Sequence, residues 1–486
     1  MSSPKSLYRS ASHYLAGNVG VMLLGFVSFP LFTRSLSVAQ YGVINVVMRL
    51  VLLPVALAKL GLPHSMVRFH AEDGRSPDRA IVERYYSTFV FTSIVAGLAV
   101  TLCFVLIVWG LPATLVPQPF RALLLAGSII IFANSLNSLL TGVLRAAGRS
   151  REFAGLQVVI KAMAIGIACA LLFLWERSAR ALVTSNVIVE SLTCAILLWM
   201  FMNRGLLKLR MFDADFCRKI VTFALPLVVF ELAAGVLDSG DRILIQIFLG
   251  SDAAGLYSAA YNVSTYVYDL IFSSMNQALI PIYIGIWATK GKDETCAFLS
   301  SSFNDFVLVC CLVCCGAAVC SGDALVLLAS TKYQQAAGMV PTLVVGLVLY
   351  ALTTFFNAGL YLHKRTGTMA GLVATSAVVN VLLNVLLLPR FGIQAAVYNT
   401  LASYAFLLAA TALFSAPYLR LKVDFLGASV GIFAAVVVAL AVSRLNFGRP
   451  VPNILIKGAL STIGYAALLL SLNARVRARV ISAWST

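Results

Sequence analysis

The sequence predicts an all-α integral membrane protein of about fourteen transmembrane helices: two parallel-repeat six-helix lobes around a central cavity, then two C-terminal helices. Three observations carry this. The 486 residues are 60% hydrophobic and 11% charged, too little polar surface to enclose a water-soluble core. Apolar runs of about 20 residues recur along the chain between short polar links. The basic residues alternate in position: about two thirds of the 36 Lys and Arg fall on one side when alternate links are counted, among them Arg68, Arg75, Arg84, Arg145, Arg204, Lys208, Arg210, Arg365, Arg475 and Arg479. The positive-inside rule puts that side and both termini in the cytoplasm, which requires an even number of spans. The net charge of +17 therefore reads as orientation, and no nucleic-acid partner is expected.

The spans fall at 14–33, 41–63, 85–109, 119–144, 153–175, 181–202, 220–248, 253–287, 299–321, 337–360, 366–388, 392–415, 424–443 and 452–472. The first follows a polar stretch without a small-residue cleavage site, so it is expected to direct insertion and remain. Gly17, Gly20, Gly25 and Pro30 give it close packing and a bend. The second carries Arg49 and Lys59 on either side of Pro54, where a kink would let both border one cavity. Each of Lys59 and Lys161, the latter in the fifth span, reads either as a cavity cation or as a side chain snorkelling to a head group. Glu190 stands near the middle of the sixth span, open between pairing with one of these cations and carrying a coupling proton.

The seventh span holds Glu231, Asp238, Asp241 and Arg242. At about 100° per residue, Glu231, Asp238 and Arg242 lie within roughly 20° of one line, with Asp241 beside them. An ionisable group facing lipid costs several kcal/mol, so this stripe is expected to line a cavity. Asp238 and Arg242 also have the spacing of a helical salt bridge. Glu231 has no cation at i±3 or i±4 and reads as an unpaired, proton-exchanging group. In the eighth span Tyr257, Tyr261 and Tyr268 form a stripe beside Asn262 and Asp269, suited either to stacking on sugar rings or to a membrane-interface belt. The cysteine-rich stretch at 310–320 has no histidine and sits in a helix, so it reads as packing and not as a metal site or disulfide.

Two echoes relate the halves. Leu36–Gly42 matches Leu249–Gly255, and Gly142–Leu156 matches Gly359–Leu372, which pairs spans 1–6 with spans 7–12. The expected organisation is an N-terminal lobe at 1–202, a cytoplasmic linker at 203–219, a C-terminal lobe at 220–415, and two additional helices with a basic tail at 416–486. A parallel repeat of this kind places substrate between the lobes. No link is long enough for a soluble catalytic domain, so no enzyme, catalytic set or metal is expected.

Four stretches, LFTRSLSVAQYGVINVV at 31–47, GLPHSMVRF at 61–69, LRAAGRSREFA at 144–154 and DRILIQIFLGSDAAGLYSAAYNV at 241–263, resemble the bacterial polysaccharide transporter family. These are O-antigen and exopolysaccharide repeat-unit flippases, in one superfamily with lipid II flippases and multidrug and toxin extrusion transporters. The resemblance covers about the first 415 residues. It implies a monomer in the bacterial inner membrane that carries an undecaprenyl-pyrophosphate-linked oligosaccharide from the cytoplasmic to the periplasmic leaflet by alternating access. It also implies work alongside a polysaccharide polymerase and chain-length machinery. No cofactor is expected beyond a proton or sodium ion for coupling. Arg34, Arg68, Arg145, Asp241, Arg242 and Gly255 match the motifs, and Arg34, Arg68, Arg145 and Asp241 are expected to be gate or structural residues. Depth and charge nominate Arg49, Arg242, Lys161 and Lys59 for the pyrophosphate, with Tyr261 and Tyr268 for sugar. Glu231, Glu190, Asp238 and Asp269 are the ion-coupling candidates. A multidrug cation antiporter, a lipid II flippase and a membrane polymerase or ligase are the alternatives.

Overall fold

A computed structural model describes residues 4–70, 74, 78–114, 116–473 and 476–478. Arg75, Arg475 and Arg479 of the basic set lie outside them. Among the described residues the chain is helical with no strand, the arrangement that satisfies backbone N–H and C=O groups where water is absent.

Thirteen of the described helices are long and apolar enough to cross a membrane. One of them, 279–328, is two rods joined across Gly291, whose φ of 83° lies outside helical space. Divided there, thirteen become fourteen, the number read from the sequence. The predicted eighth span is assembled from a helix at Ser251–Tyr268, a π-turn at Asp269–Ser273 and the first part of the helix Ser274–Leu328.

The chain forms two compact units, 1–255 and 256–486. The first contains α1 (Pro4–Ser35), α2 (Val38–Lys59), α3 (Leu62–Phe69), α4 (Arg79–Gly110), α5 (Gln118–Ala146), α6 (Ser150–Leu174), α7 (Ala179–Asn203) and α8 (Ala214–Leu249). Polar residues fix where these helices start. Ser37 accepts from the Gln40 amide while Gln40 Oε1 accepts from the Ser37 N–H, a capping box for α2. Asp78 and Asp213 cap α4 and α8 by accepting from Ala80 and Phe216 N–H groups. Leu60 and Gly61, both left-handed with φ of 46° and 62°, end α2 and turn the chain into α3. A Cβ at Gly61 would stand 2.8 Å from the Ala224 carbonyl oxygen, so glycine is required there on both counts.

Helix α5 is the hub of this unit, packed on α2, α4 and α7, while α8 packs on α2, α3 and α4. Leu62, Met66, Tyr85, Phe89, Leu136 and Ile220 form a shared core, and the Tyr85 hydroxyl finds the Met66 carbonyl at 2.7 Å. Val95, Leu98, Leu102 and Leu106 leave an exposed apolar stripe along α4, as a lipid-facing surface requires.

The segment between α7 and α8 is sewn onto α4. Ser87 Oγ donates to the Leu206 carbonyl (3.3 Å) and accepts from Lys208 N–H (3.0 Å), and Thr88 Oγ1 accepts from Asp213 N–H (3.1 Å). Arg84 reaches Asp213 at 3.2 Å. The buried carboxylate of Glu83 takes Lys208 at 2.8 Å and Arg79 at 3.0 Å.

The second unit continues with α9 (Ser251–Tyr268), which begins just before the unit boundary, then α10 (Ser274–Leu328), α11 (Met339–Leu362), α12 (Thr366–Phe391), α13 (Ile393–Ser415), α14 (Phe425–Ser443) and α15 (Pro450–Leu472). Helix α13 packs on α11 and α12, and α10 packs on α11, α14 and α15. Cys311 and Cys315 lie in the contact with α14 and α15 beside Ala434, Val438, Tyr465 and Leu469. All ten cysteines are free, and these two act as small apolar packing groups.

Candidate functional site

Several intramembrane charges of the first unit lie on α2 or against it. Arg49 of α2 is ion-paired with Asp238 of α8 and reaches Ser239 Oγ at 3.4 Å. The cation that the sequence offers Asp238 is Arg242, four residues along the same helix. In the fold Arg242 is fully buried and meets Asp238 through its backbone carbonyl, Nη1 donating at 3.0 Å. Asp241 is 1% exposed, so this end of the predicted stripe is packed inside the protein.

Arg49 and Lys161 line one cavity of about 360 Å³, together with Tyr41, Asn45, Met48 and Asn186. Lys59 lines another of about 320 Å³ with Glu231, Asn134, Phe230 and Gly235. Leu52 is part of both walls. The expectation that Arg49 and Lys59 border one cavity is therefore corrected to two cavities on the same helix, because ten residues turn the two side chains to different neighbours.

Glu231 is not unpaired. His64 Nε2 stands 3.0 Å from its Oε1. The imidazole comes from α3, 167 residues earlier, within the GLPHSMVRF stretch; the histidine in that stretch is the signal that sequence reasoning passed over. Glu190 accepts from two amides of α5, Asn134 (2.9 Å) and Asn137 (2.7 Å). Of the residues expected to act as gates, Arg34, Arg68 and Arg145 stand exposed in the last turns of α1, α3 and α5, where a cation complements the helix dipole. Arg68 lies over the Phe69 ring and Arg145 over that of Phe153.

The two echoed stretches meet each other in the first unit. A Cβ on Gly42 would collide with the Ser251 carbonyl oxygen, and one on Gly255 with the Val38 carbonyl oxygen. Gly42 and Gly255 hold equivalent places in the two echoes, and each lets the start of one helix lie directly against the other's backbone.

In the second unit the tyrosine stripe divides. Tyr257 and Tyr261 are buried, their hydroxyls 3.0 Å from Thr400 Oγ1 and 3.1 Å from Tyr404 Oη on α13. Tyr261 is therefore turned to a neighbouring helix and not to a sugar, since that face of α9 is the one α13 covers. Tyr268 is half-buried between Phe272 and Tyr350, and Tyr350 is exposed. Asp269 opens the π-turn. Sequence reasoning also passed over a buried amide ladder, Asn399 Nδ2 to Asn384 Oδ1 at 3.2 Å and Asn384 Nδ2 to the Asn380 carbonyl at 3.0 Å, which ties α12 to α13.

The arrangement can hold an anion. Two cations, Arg49 and Lys161, meet at one cavity inside membrane-length helices, where low polarity strengthens every charge-assisted hydrogen bond. Among the described residues no three His, Cys, Asp or Glu side chains come together as metal ligands.

No curated protein matches the chain. Among solved structures, one described as the lipid II flippase MurJ in an inward closed conformation is similar with a TM-score of 0.74 at 12% identity, covering 95% of this chain and 99% of that one. An inward-facing multidrug resistance MATE family transporter of the MOP superfamily gives a TM-score of 0.66 at 13% identity, over 83% and 93%. A MOP superfamily transporter from Pyrococcus furiosus, described by the reverse polarity of its binding pocket, gives 0.59 at 12%, over 85% and 94%. These establish a MurJ- and MATE-like fold. Residues 7–287, more than half of the chain, match the family described as polysaccharide biosynthesis protein, and the chain belongs to that family.

Proposed function

We propose that the protein is a flippase of the bacterial inner membrane that carries undecaprenyl-pyrophosphate-linked oligosaccharide repeat units from the cytoplasmic to the periplasmic leaflet, for an O-antigen or exopolysaccharide. The observation that carries this reading is the cavity shared by Arg49 and Lys161. A pyrophosphate needs cations to leave water, while its lipid tail can stay in the bilayer. Arg49 and Lys161 hold the pyrophosphate, with Lys59 beyond Leu52 as a second station. Arg242, being buried, supports Asp238 and does not touch cargo. In the second unit Tyr268 and Tyr350 present an aromatic surface of the kind that stacks on sugar rings. Transport is by alternating access, coupled to an ion taken up at an intramembrane acid, and both termini lie in the cytoplasm.

The test is the lipid-linked sugar pool of a deletion strain, with membranes probed for the leaflet that holds it. Single repeat units accumulating on the cytoplasmic face support flipping and identify the cargo by its sugars. Accumulation on the periplasmic face assigns the chain to a later step. No accumulation, with altered drug tolerance, favours the cation antiporter that the MATE-like fold also accommodates.

A further inference from the structure

Glu190 differs from Asp238 and Glu231 in what surrounds it. Asp238 has Arg49, and Glu231 has His64 and shares a cavity with Lys59. Among the described residues Glu190 takes its hydrogen bonds from neutral amides: Asn134 Nδ2 to Oε1 at 2.9 Å and Asn137 Nδ2 to Oε2 at 2.7 Å. The same Asn137 nitrogen donates to the Glu190 backbone carbonyl at 3.0 Å. This third bond fixes the orientation of the Asn137 amide, because reversing it would aim an oxygen at two acceptors. Each carboxylate oxygen is held by an amide, and neither amide brings charge.

Two further oxygens, one on the Asn137 amide and one a turn along α7 from Glu190, have no hydrogen-bond partner among the described residues. Asn137 is 6% exposed and its Oδ1, on the amide already bonded to Glu190, is buried and unpaired. Thr193 follows Glu190 by three residues on α7, is 5% exposed, and has an equally unpaired Oγ1. Leaving one such group buried and unsatisfied costs about 1–3 kcal/mol, so a ligand that satisfies both is stabilised there. A carboxylate, an amide oxygen and a hydroxyl are hard oxygen donors, the kind that take a cation in place of its water. Asn134, which holds the other carboxylate oxygen, lines the cavity of Lys59 and Glu231 and so marks a route from that cavity to Glu190.

We propose that Glu190, Asn137 and Thr193 form a sodium-ion site between α5 and α7, reached from the cavity that Asn134 lines. The bound ion supplies the positive charge that the amides lack and satisfies both orphaned oxygens. The site rests on the reading of the chain as an ion-coupled carrier, and it is where the coupling ion is taken up.

The test is binding of radioactive sodium to the purified full-length protein in lipid nanodiscs, without cargo. Wild type is expected to bind one ion saturably, displaced by unlabelled sodium and not by choline. Glu190→Gln abolishes binding, and Asn137→Ala and Thr193→Ala each weaken it about tenfold, near 1.4 kcal/mol. Glu152→Gln, a surface acid paired with Arg149, leaves it unchanged. Absence of saturable binding by wild type overturns the site without any variant, and so does binding that survives in well-folded Glu190→Gln. Proton uptake that needs Glu190 and is indifferent to sodium also overturns it, making the residue a proton carrier. Since cargo is absent, wild type that binds no sodium yet still translocates lipid removes the site and leaves the flippase reading standing. Sodium binding without lipid translocation does the reverse.

Discussion

Asp238 takes its cation from Arg49, 189 residues earlier in the chain, so α2 and α8 are joined at the wall of the cavity assigned to the pyrophosphate. Loss of a charge-assisted hydrogen bond costs about 1.5–3 kcal/mol, or roughly 10–100-fold. Arg49→Ala is expected to lower polymer export by that factor. The exchanged pair Arg49→Asp with Asp238→Arg is expected to restore membrane abundance and not export, because the cation then sits on the other helix. Immunoblots beside surface-polymer yield separate the two, and full export by the exchanged pair would show that the bridge is structural alone.

His64 and Glu231 make a contact that a neutral donor can imitate. His64→Gln is expected to keep most of the export rate, and His64→Ala to lose about tenfold, the worth of one hydrogen bond to a charged group. Equal rates for the two variants in a translocation assay would leave the contact without a role.

At Gly42 and Gly255 a methyl group has nowhere to go. Gly42→Ala and Gly255→Ala are each expected to cost about 1–3 kcal/mol, as overpacking does, or else to push apart the helix starts that meet there. Thermal unfolding of the purified protein reads the first outcome, and cross-linking of paired cysteines at 38 and 251 reads the second. Wild-type behaviour in both assays would contradict the close approach.

Glu83 gathers Arg79 and Lys208 in a buried position. Glu83→Ala is expected to loosen the segment after α7 and speed tryptic cleavage after Lys208 and Arg210 severalfold, read on a gel against time. Unchanged cleavage would mean that Ser87 and Thr88 hold the segment without it.

The spans were legible because hydrophobic length is a direct consequence of bilayer thickness. The glycine at 291 marks a place where a continuous helix hides two of them. The charged residues of the site were legible too, since charge inside an apolar run is conspicuous. Their partners were not. A helical salt bridge between Asp238 and Arg242 can be read from spacing, whereas Arg49 with Asp238 and His64 with Glu231 arise from the packing of α2 and α3 on α8. Tyr261 shows the same limit from the other side. A stripe on a helix states that a face exists, and only the neighbouring α13 decides whether that face meets cargo or protein.

The stitched segment between α7 and α8 bears on how the molecule can move. Backbone and side chain from Leu206 to Asp213 are fastened to α4 by Ser87, Thr88, Glu83 and Arg84. It is thus no slack tether but an extension of α4. A swing of α8 as one rod pivots at its own first turn, where Asp213 is at once the cap and the last stitch. That residue is the fulcrum, and the 36 residues of α8 are the lever, with the Arg49 bridge bearing on it two thirds of the way along.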